Sequence, residues 1–240
     1  MRWIDMHCDT LSELQKAESC ACSGTNGNGY QGMRKNSLCV DIERLIRKGA
    51  SAQFFACYVN AAEYPENRAA YSQNGSAYQG KRNVYNWNRA YEAVLEMLEY
   101  AHQEASLALS IPGCLIYESA NEGKTAGILT VEEGGVLDGD LSRLDDLYQR
   151  DVRLITLTWN YKNCIGYPNS RNRDIMAKGL THFGKEAVEK MNDLGMIIDV
   201  SHLSDGGFWD CIRCSRTPIV ASHSNARSLC AHPRNLSDEM

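Results

Sequence analysis

Two short apolar runs that each end in Ser-His place the strongest constraint on the fold of this chain. Residues 197–200 are followed by Ser201-His202, and residues 218–221 are followed by Ser222-His223. Both runs are rich in β-branched residues, and the interval between them fits one helix with its loops, which predicts consecutive parallel strands. Because ligands collect at the carboxyl ends of parallel strands, we expect His202 and His223 to lie side by side in a functional site.

Length and composition favour an ordinary globular protein. The 240 residues, of which 43% are hydrophobic and 23% charged, predict a single domain over residues 1–240. A net charge of -5 and a pI near 5.7 provide no basic surface, so neither nucleic acid nor a membrane is an expected partner. A predicted strand at the amino end in place of a signal peptide, and the absence of a long apolar run, favour a cytoplasmic location.

The ten cysteines do not predict a disulfide framework, because such frameworks are typical of small secreted domains. The spacings Cys20-x-Cys22 and Cys211-x-x-Cys214 invite a zinc interpretation. A structural zinc site needs four ligands, and neither pair has an obvious partner pair. We therefore expect reduced, semi-buried cysteines, with the second pair on one face of a helix.

Alternating strand and helix patterns predict an α/β fold. Further strands are predicted at residues 3–9, 52–59, 125–131 and 152–159. Helices are predicted at 41–48, 83–106, 141–149 and 179–195, with polar loops at 19–37 and 60–81. Six strands in this order predict an incomplete (β/α)8 TIM barrel with about six of its eight units. Residues 235–239 resemble the start of a polar helix, and we expect the chain to be truncated there.

Carboxylates and a further histidine follow other predicted strands. His7 and Asp9 alternate with Cys8, so they should point to one face of the first strand. Glu132 and Glu133 follow the third strand, and only one of them should point inward. Together with His202 and His223, these side chains suit two divalent cations, because a glutamate can bridge metals roughly 3.5–4 Å apart. The mixed nitrogen and oxygen donors favour zinc, and the chemistry they favour is hydrolysis.

Seven motifs extend this interpretation to a known family. In chain order they are Asp5-Met6-His7-Cys8-Asp9, Gly49-Ala50-Ser51-Ala52-Gln53-Phe54-Phe55, Val131-Glu132-Glu133-Gly134-Gly135, Leu154-Ile155-Thr156-Leu157-Thr158-Trp159-Asn160, Asp199-Val200-Ser201-His202, Ala221-Ser222-His223-Ser224-Asn225-Ala226-Arg227 and His232-Pro233-Arg234-Asn235. In these motifs the chain resembles the membrane dipeptidase (renal dipeptidase) family of zinc peptidases, in particular its bacterial members.

The resemblance implies two zinc ions per active site and zinc-dependent hydrolysis of dipeptides. It implies that His7 and Asp9 bind one zinc and that His202 and His223 bind the other. Glu133 is expected to bridge the two metals and to be catalytic, because the family's bridging glutamate directly precedes the Gly-Gly pair. A hydroxide activated by the metals would then attack the peptide carbonyl.

The resemblance also implies residues that touch the substrate. Arg234 matches the arginine that binds the carboxylate of the dipeptide, a task suited to a two-pronged donor. Trp159-Asn160-Tyr161 stands where the family has a histidine that contacts the tetrahedral intermediate, so Tyr161 is the candidate for that place. The family's aspartate beside the zinc pair belongs to a later strand that this sequence does not contain. A homodimer is expected from the family.

Two alternatives remain open from the sequence. The chain could be a metal-binding protein without catalytic activity, since the later aspartate is missing. It could instead hydrolyse another amide or an ester, since Trp159 and Tyr161 depart from the family pattern. Metal content measured beside dipeptide hydrolysis would discriminate among the three hypotheses.

Overall fold

A parallel sheet forms the centre of the structure, a computed structural model that describes residues 2–21, 32–65, 85–104 and 125–240. Its strands neighbour one another in chain order, and every pairing is parallel. The strands are β1 (Trp3–Cys8), β2 (Ala50–Tyr58), β3 (Ala126–Glu132), β4 (Val152–Thr156) and β5 (Ile197–Asp199). Parallel neighbours in chain order are the arrangement of a (β/α) barrel.

Helices connect these strands. They are α1 (Thr10–Ala21), α2 (Ile42–Arg47), α3 (Trp87–Glu104), α4 (Ser142–Gln149), α5 (Arg173–Met176), α6 (His182–Leu194) and α7 (Asp205–Cys214), with 3₁₀ turns at Ala61–Glu63 and Gly134–Leu137. Capping interactions fix both ends of α6. The Thr181 hydroxyl accepts a hydrogen bond from the Gly184 amide at the amino end, and Gly195 ends the helix with a left-handed φ of 72°.

The two faces of the sheet are buried by different partners. On the outer face, strand residues pack with helix residues such as Leu14, Val94 and Val188 in one large cluster. The inner face forms a separate cluster in which the buried members all come from strands. They are Ala52, Phe54, Ala126, Ile128 and Leu154. Side chains that meet only each other inside a curved sheet are what a barrel interior requires.

The predicted α/β fold is confirmed, and the bounds of its first five strands lie within three residues of the sequence prediction. The prediction of a sixth strand is wrong, because residues 218–221 make only a single parallel bridge, between Asp199 and Val220. Pro218 has no amide hydrogen to donate at this edge. The predicted helix start at 235–239 is also wrong, because Leu236 bridges to Ala226. The sequence analysis missed α1, which directly follows β1.

Several predictions fall partly outside the described residues. Of the loops predicted at 19–37 and 60–81, only residues 19–21, 32–37 and 60–65 are described, and neither Cys22 nor the side chain of Cys20 is described. Cys211 and Cys214 lie on α7 with free thiols, as expected. Among the described residues, no helix is both long enough and apolar enough to cross a bilayer.

Candidate metal centre

Glu132, the last residue of β3, carries the carboxylate at the centre of the site. It lies on the inner face of the strand, two alternations beyond Ile128, and only 3% of it is exposed. Its Oε2 lies 3.3 Å from His7 Nε2, whereas its Oε1 lies 3.1 Å from His202 Nε2 and 3.4 Å from His223 Nε2. The two oxygens of one carboxylate therefore face different histidines.

Glu133, the residue that the resemblance implies as the metal bridge, does not lie among these histidines. The chain turns directly after β3, and Glu133 has a φ of 110° that carries its fully buried side chain elsewhere. Its carboxylate accepts hydrogen bonds from Asn163 Nδ2, from the Gly135 amide and from the Trp159 amide, at 2.5, 2.8 and 3.2 Å. Burial raises the pKa of Glu133 to about 7. Glu133 thus joins the two loops that follow β3 and β4.

The Ser-His pairs lie side by side at the carboxyl ends of their segments. The Nε2 atoms of His202 and His223 are 3.0 Å apart, and the ring of His223 stacks on His7 with centroids 3.8 Å apart. His202 takes a left-handed φ of 66°, a conformation uncommon for a residue other than glycine. Such backbone strain is found where a side chain must be aimed into a site.

A bulge in β1 aims His7 and Asp9 into the same space. Three steps along β1, from Asp5 to Cys8, pair with two steps along β2, so one extra residue is accommodated. His7 Nε2 then lies 3.3 Å from Asp9 Oδ1, while Cys8 packs with the outer cluster. The predicted separation of Cys8 from the two polar side chains is what the structure shows.

The electrostatics of the cluster favour an ionised glutamate among histidines. Burial alone would raise the pKa of Glu132, but hydrogen bonds from His202 and His223 and the charge of His7 hold that pKa well below its usual range. Burial lowers the pKa of His202. For His7 burial acts in the same direction, yet the hydrogen bond to Asp9 and the charge of Glu132 leave its pKa raised.

Asp199, which the sequence analysis did not single out, fixes both Ser-His segments. Its fully buried carboxylate accepts from the Ser201 and Ser222 amides at 3.0 Å each, and from the Thr156 and Ser222 hydroxyls at 2.6 Å each. Because the Ser222 hydroxyl donates to Asp199, it accepts from His223 Nδ1, which is 2.7 Å away. The proton of His223 is thereby placed on Nδ1, and the Nε2 lone pair faces the site.

Arg234 lies beside the cluster in a loop that is tied to α7. Its guanidinium faces the negative charge of Glu132 and Asp199, although burial, the larger effect, lowers its pKa. Arg227 holds the chain on both sides of Arg234, donating to the Asn235 carbonyl at 2.7 Å and to the Pro233 carbonyl at 3.3 Å.

The same Arg227 guanidinium is anchored by a two-pronged ion pair with Asp205, at 2.8 and 2.6 Å. Asp205 is the first residue of α7, so the ion pair connects the Arg234 loop to a helix that packs in the outer cluster. This connection gives the loop a fixed position relative to the site.

Tyr161 and Trp159 lie at the rim of the site. The Trp159 ring is tilted against His202, with centroids 6.3 Å apart, and Tyr161 contacts Trp159 at 5.8 Å. Tyr161 is therefore one ring further from the histidines than Trp159. The sequence analysis did not anticipate Tyr58, whose ring meets Trp159 edge to face at 5.1 Å.

The donor set fits divalent metal ions. Ligand atoms of His7, Glu132 and His223 all lie within 4.8 Å of one another. The distances divide the set into one group formed by His7, Asp9 and Glu132 Oε2 and another formed by His202, His223 and Glu132 Oε1. The imidazole nitrogens converge on one buried carboxylate. A cation bound among these donors would stabilise the arrangement.

Comparisons with known proteins assign the chain to a family. A family model described as membrane dipeptidase (peptidase family M19) matches residues 1–240. The chain belongs to the membrane dipeptidase family. A protein from the PQQ-III 3' region of Acinetobacter calcoaceticus is 29% identical over 209 residues, which cover 83% of this chain and 64% of that protein. Mouse dipeptidase 3 is 36% identical over 143 residues, which cover 58% of this chain and 28% of that protein.

Solved structures show the same fold. A metallopeptidase from Rhodobacter sphaeroides, bound to a phosphinate mimic of the dipeptide L-Ala-D-Ala, superposes with a TM-score of 0.74 at 23% identity, over 98% of this chain and 68% of that one. A structure described as the probable dipeptidase PvdM from Pseudomonas aeruginosa gives a TM-score of 0.69 at 25% identity, over 95% of this chain and 59% of that one. The chain spans 64% and 55% of the lengths of its Acinetobacter and Klebsiella pneumoniae relatives.

Proposed function

We propose that this protein is a zinc-dependent dipeptidase with two metal ions per active site. The observation that carries the proposal is the position of Glu132, whose two oxygens face His7 on one side and His202 with His223 on the other. Membership in the membrane dipeptidase family supports the dipeptidase activity, and the mixed nitrogen and oxygen donors support zinc.

In this proposal His7 and Asp9 would hold one metal, His202 and His223 would hold the other, and Glu132 would offer one carboxylate oxygen to each. Bound there, the metals would polarise the peptide carbonyl and lower the pKa of water to generate the attacking group. Asp199 and Ser222 keep the His223 lone pair directed at the site.

A free carboxylate is the second feature that the site recognises in this proposal. The Arg234 guanidinium offers two parallel donors, which match the carboxylate of a dipeptide better than an internal peptide bond. The Rhodobacter relative binds a dipeptide mimic, which supports the same substrate class. The family match gives no support to a non-catalytic metal-binding protein or to a hydrolase of another amide or ester. A homodimer and a cytoplasmic location stay predictions from the sequence.

The test is hydrolysis by the zinc-loaded protein. A panel of dipeptides with L- and D-residues at the carboxyl end should be cleaved, with chelation abolishing turnover and zinc restoring it. Tripeptides blocked by a carboxyl-terminal amide should resist cleavage. Two bound zinc ions without turnover of any dipeptide would contradict the proposal.

Replacing Arg234 with Ala is expected to lower kcat/KM for dipeptides by roughly 10- to 100-fold, the equivalent of about 1.5–3 kcal/mol for a hydrogen bond to a charged group. The loss should appear mainly in KM, because the guanidinium holds the substrate and not the reacting carbonyl. A dipeptide with a carboxyl-terminal amide should be cleaved equally slowly by both proteins. Equal kcat/KM for the free dipeptide would contradict the assignment.

Replacing Arg227 with Ala should have a smaller effect in the same direction. The variant keeps Arg234 but loses the donors to the Pro233 and Asn235 carbonyls and the ion pair with Asp205. We expect KM for dipeptides to rise several-fold, with kcat little changed. An unchanged KM in a folded variant would show that the Arg234 loop does not need this anchor.

A further inference from the structure

Five aromatic rings form a continuous row that begins beside the candidate metal centre. We call this row the aromatic wall: Tyr58, Trp159, Tyr161, Tyr85 and Trp87. Successive ring centroids along it are 5.1, 5.8, 4.9 and 5.6 Å apart. These separations are typical of edge-to-face and tilted aromatic pairs. Each ring is half-buried, so each keeps part of its surface open.

The wall is held by contacts that do not involve the metal ligands. Tyr58, at the end of β2, exchanges backbone hydrogen bonds with the Ser12 hydroxyl at 3.0 and 3.2 Å. The Trp159 amide donates to buried Glu133 at 3.2 Å. Trp87 lies so close to Gly135 that a Cβ there would come within 2.5 Å of the indole. The rings are thus placed by the loops after β2, β3 and β4.

Tyr58, the first ring of the wall, and Arg234 lie on different sides of Glu132. Tyr58 ends β2, on one side of the strand that carries Glu132, whereas Arg234 belongs to the loop after the Val220 bridge, beyond β5 in the sheet order. A dipeptide whose carboxylate is bound by Arg234 and whose carbonyl reaches Glu132 therefore extends its amino-terminal residue toward Tyr58, against which Trp159 packs edge to face at 5.1 Å.

We propose that the aromatic wall binds the side chain of the amino-terminal residue and selects dipeptides in which that side chain is aromatic or large and apolar. The inference rests on the proposed dipeptidase function and adds a substrate class to it. A large apolar side chain that covers the exposed aromatic surface is stabilised by its burial and by contacts with the rings. A methyl group covers little of that surface and is stabilised less.

The test compares kcat/KM for Phe-Gly and Ala-Gly in the zinc-loaded protein. We expect the ratio to be about 10 or more, since a few additional buried methylene equivalents give roughly 10- to 200-fold discrimination. In the Trp159→Leu and Tyr161→Leu variants the ratio should fall at least threefold, and in Trp159→Phe it should be largely kept. The matched control is Trp209→Leu, because Trp209 is half-buried on α7 against Phe208, and there the ratio should not change.

Outcomes separate the inference from the proposed function. A wild-type ratio near one, or a ratio unchanged by the two wall variants, would overturn the inference while leaving the dipeptidase intact. A variant that loses both substrates equally would show a structural role, and this also counts against selection by the wall. If neither dipeptide is cleaved, the proposed function fails, and the wall is then tested by calorimetry with phosphinate mimics of the two dipeptides. Tighter binding of the Phe mimic would support the wall, and equal or no binding would overturn it.

Discussion

Replacing Glu132 with Gln is expected to reduce kcat/KM for dipeptides by roughly 1000-fold or more, which corresponds to about 4 kcal/mol of transition-state stabilisation. An amide keeps the shape of the carboxylate but offers one oxygen in place of two. The single amide oxygen can face either His7 or the pair formed by His202 and His223, but not both. The loss should appear in kcat, measured with zinc in excess.

The adjacent residue supplies the matched control. Glu133→Gln changes the same chemical group one position along the chain, where the partners are Asn163 and the amides of Gly135 and Trp159. A glutamine can keep its oxygen toward Asn163 and Gly135, so only the more distant Trp159 amide, at 3.2 Å, would face the new amide group, and the cost to the fold should be smaller than at a carboxylate with two donors on each oxygen. We expect kcat/KM for dipeptides to fall by roughly 10-fold or less. This is the lower end of the effects seen when a residue that supports the metal ligands without binding the metal is changed. A larger loss in Glu133→Gln than in Glu132→Gln would reverse the assignment.

Replacing Asp199 with Asn is expected to destabilise the protein by about 3 kcal/mol. The carboxylate is fully buried and accepts four hydrogen bonds, two at each oxygen. An amide would turn one acceptor into a donor that faces two donors, so buried polar groups would lose their partners. Urea unfolding of the metal-free proteins measures this loss without a contribution from metal binding.

Thr156→Val is the control for Asp199. It removes one of the four donors and keeps the carboxylate, so it should cost about 1 kcal/mol. Asp199→Asn should in addition weaken zinc binding by roughly 10- to 100-fold, because Ser222 would no longer hold the proton of His223 on Nδ1. Equal stability of the two variants would contradict the role given to Asp199.

The centre of the sheet was predictable because β2 and β3 are largely apolar and are buried along almost their whole length. Strands that are buried on both faces are recognisable from composition. The run at 218–221 has the same composition but makes only the bridge at Val220. A strand depends on the partner beside it, and a sequence window does not contain that partner.

Strand alternation and motif matching select different glutamates. Ala126 and Ile128 face the interior, so alternation places Glu132 on that face, whereas a motif counted back from the Gly-Gly pair selects Glu133. The glycines have a packing reason instead. A Cβ on Gly134 would come within 2.8 Å of the Leu157 carbonyl oxygen.

Other parts of the site come from distant segments and have no local pattern. The aromatic wall joins Tyr58, Tyr85 and Trp159, which are brought together only when β2, α3 and β4 pack. The position of Arg234 likewise depends on the ion pair between Arg227 and Asp205, 22 residues apart. Such contacts follow from tertiary structure.

The metal content of the wild-type protein and of the two glutamate variants tests the central claim most directly. After zinc loading and removal of unbound metal, the wild-type protein and Glu133→Gln should each retain two zinc ions per chain. Glu132→Gln should retain one or none, because both metals lose a shared ligand. Two zinc ions in Glu132→Gln together with loss of zinc from Glu133→Gln would contradict the account.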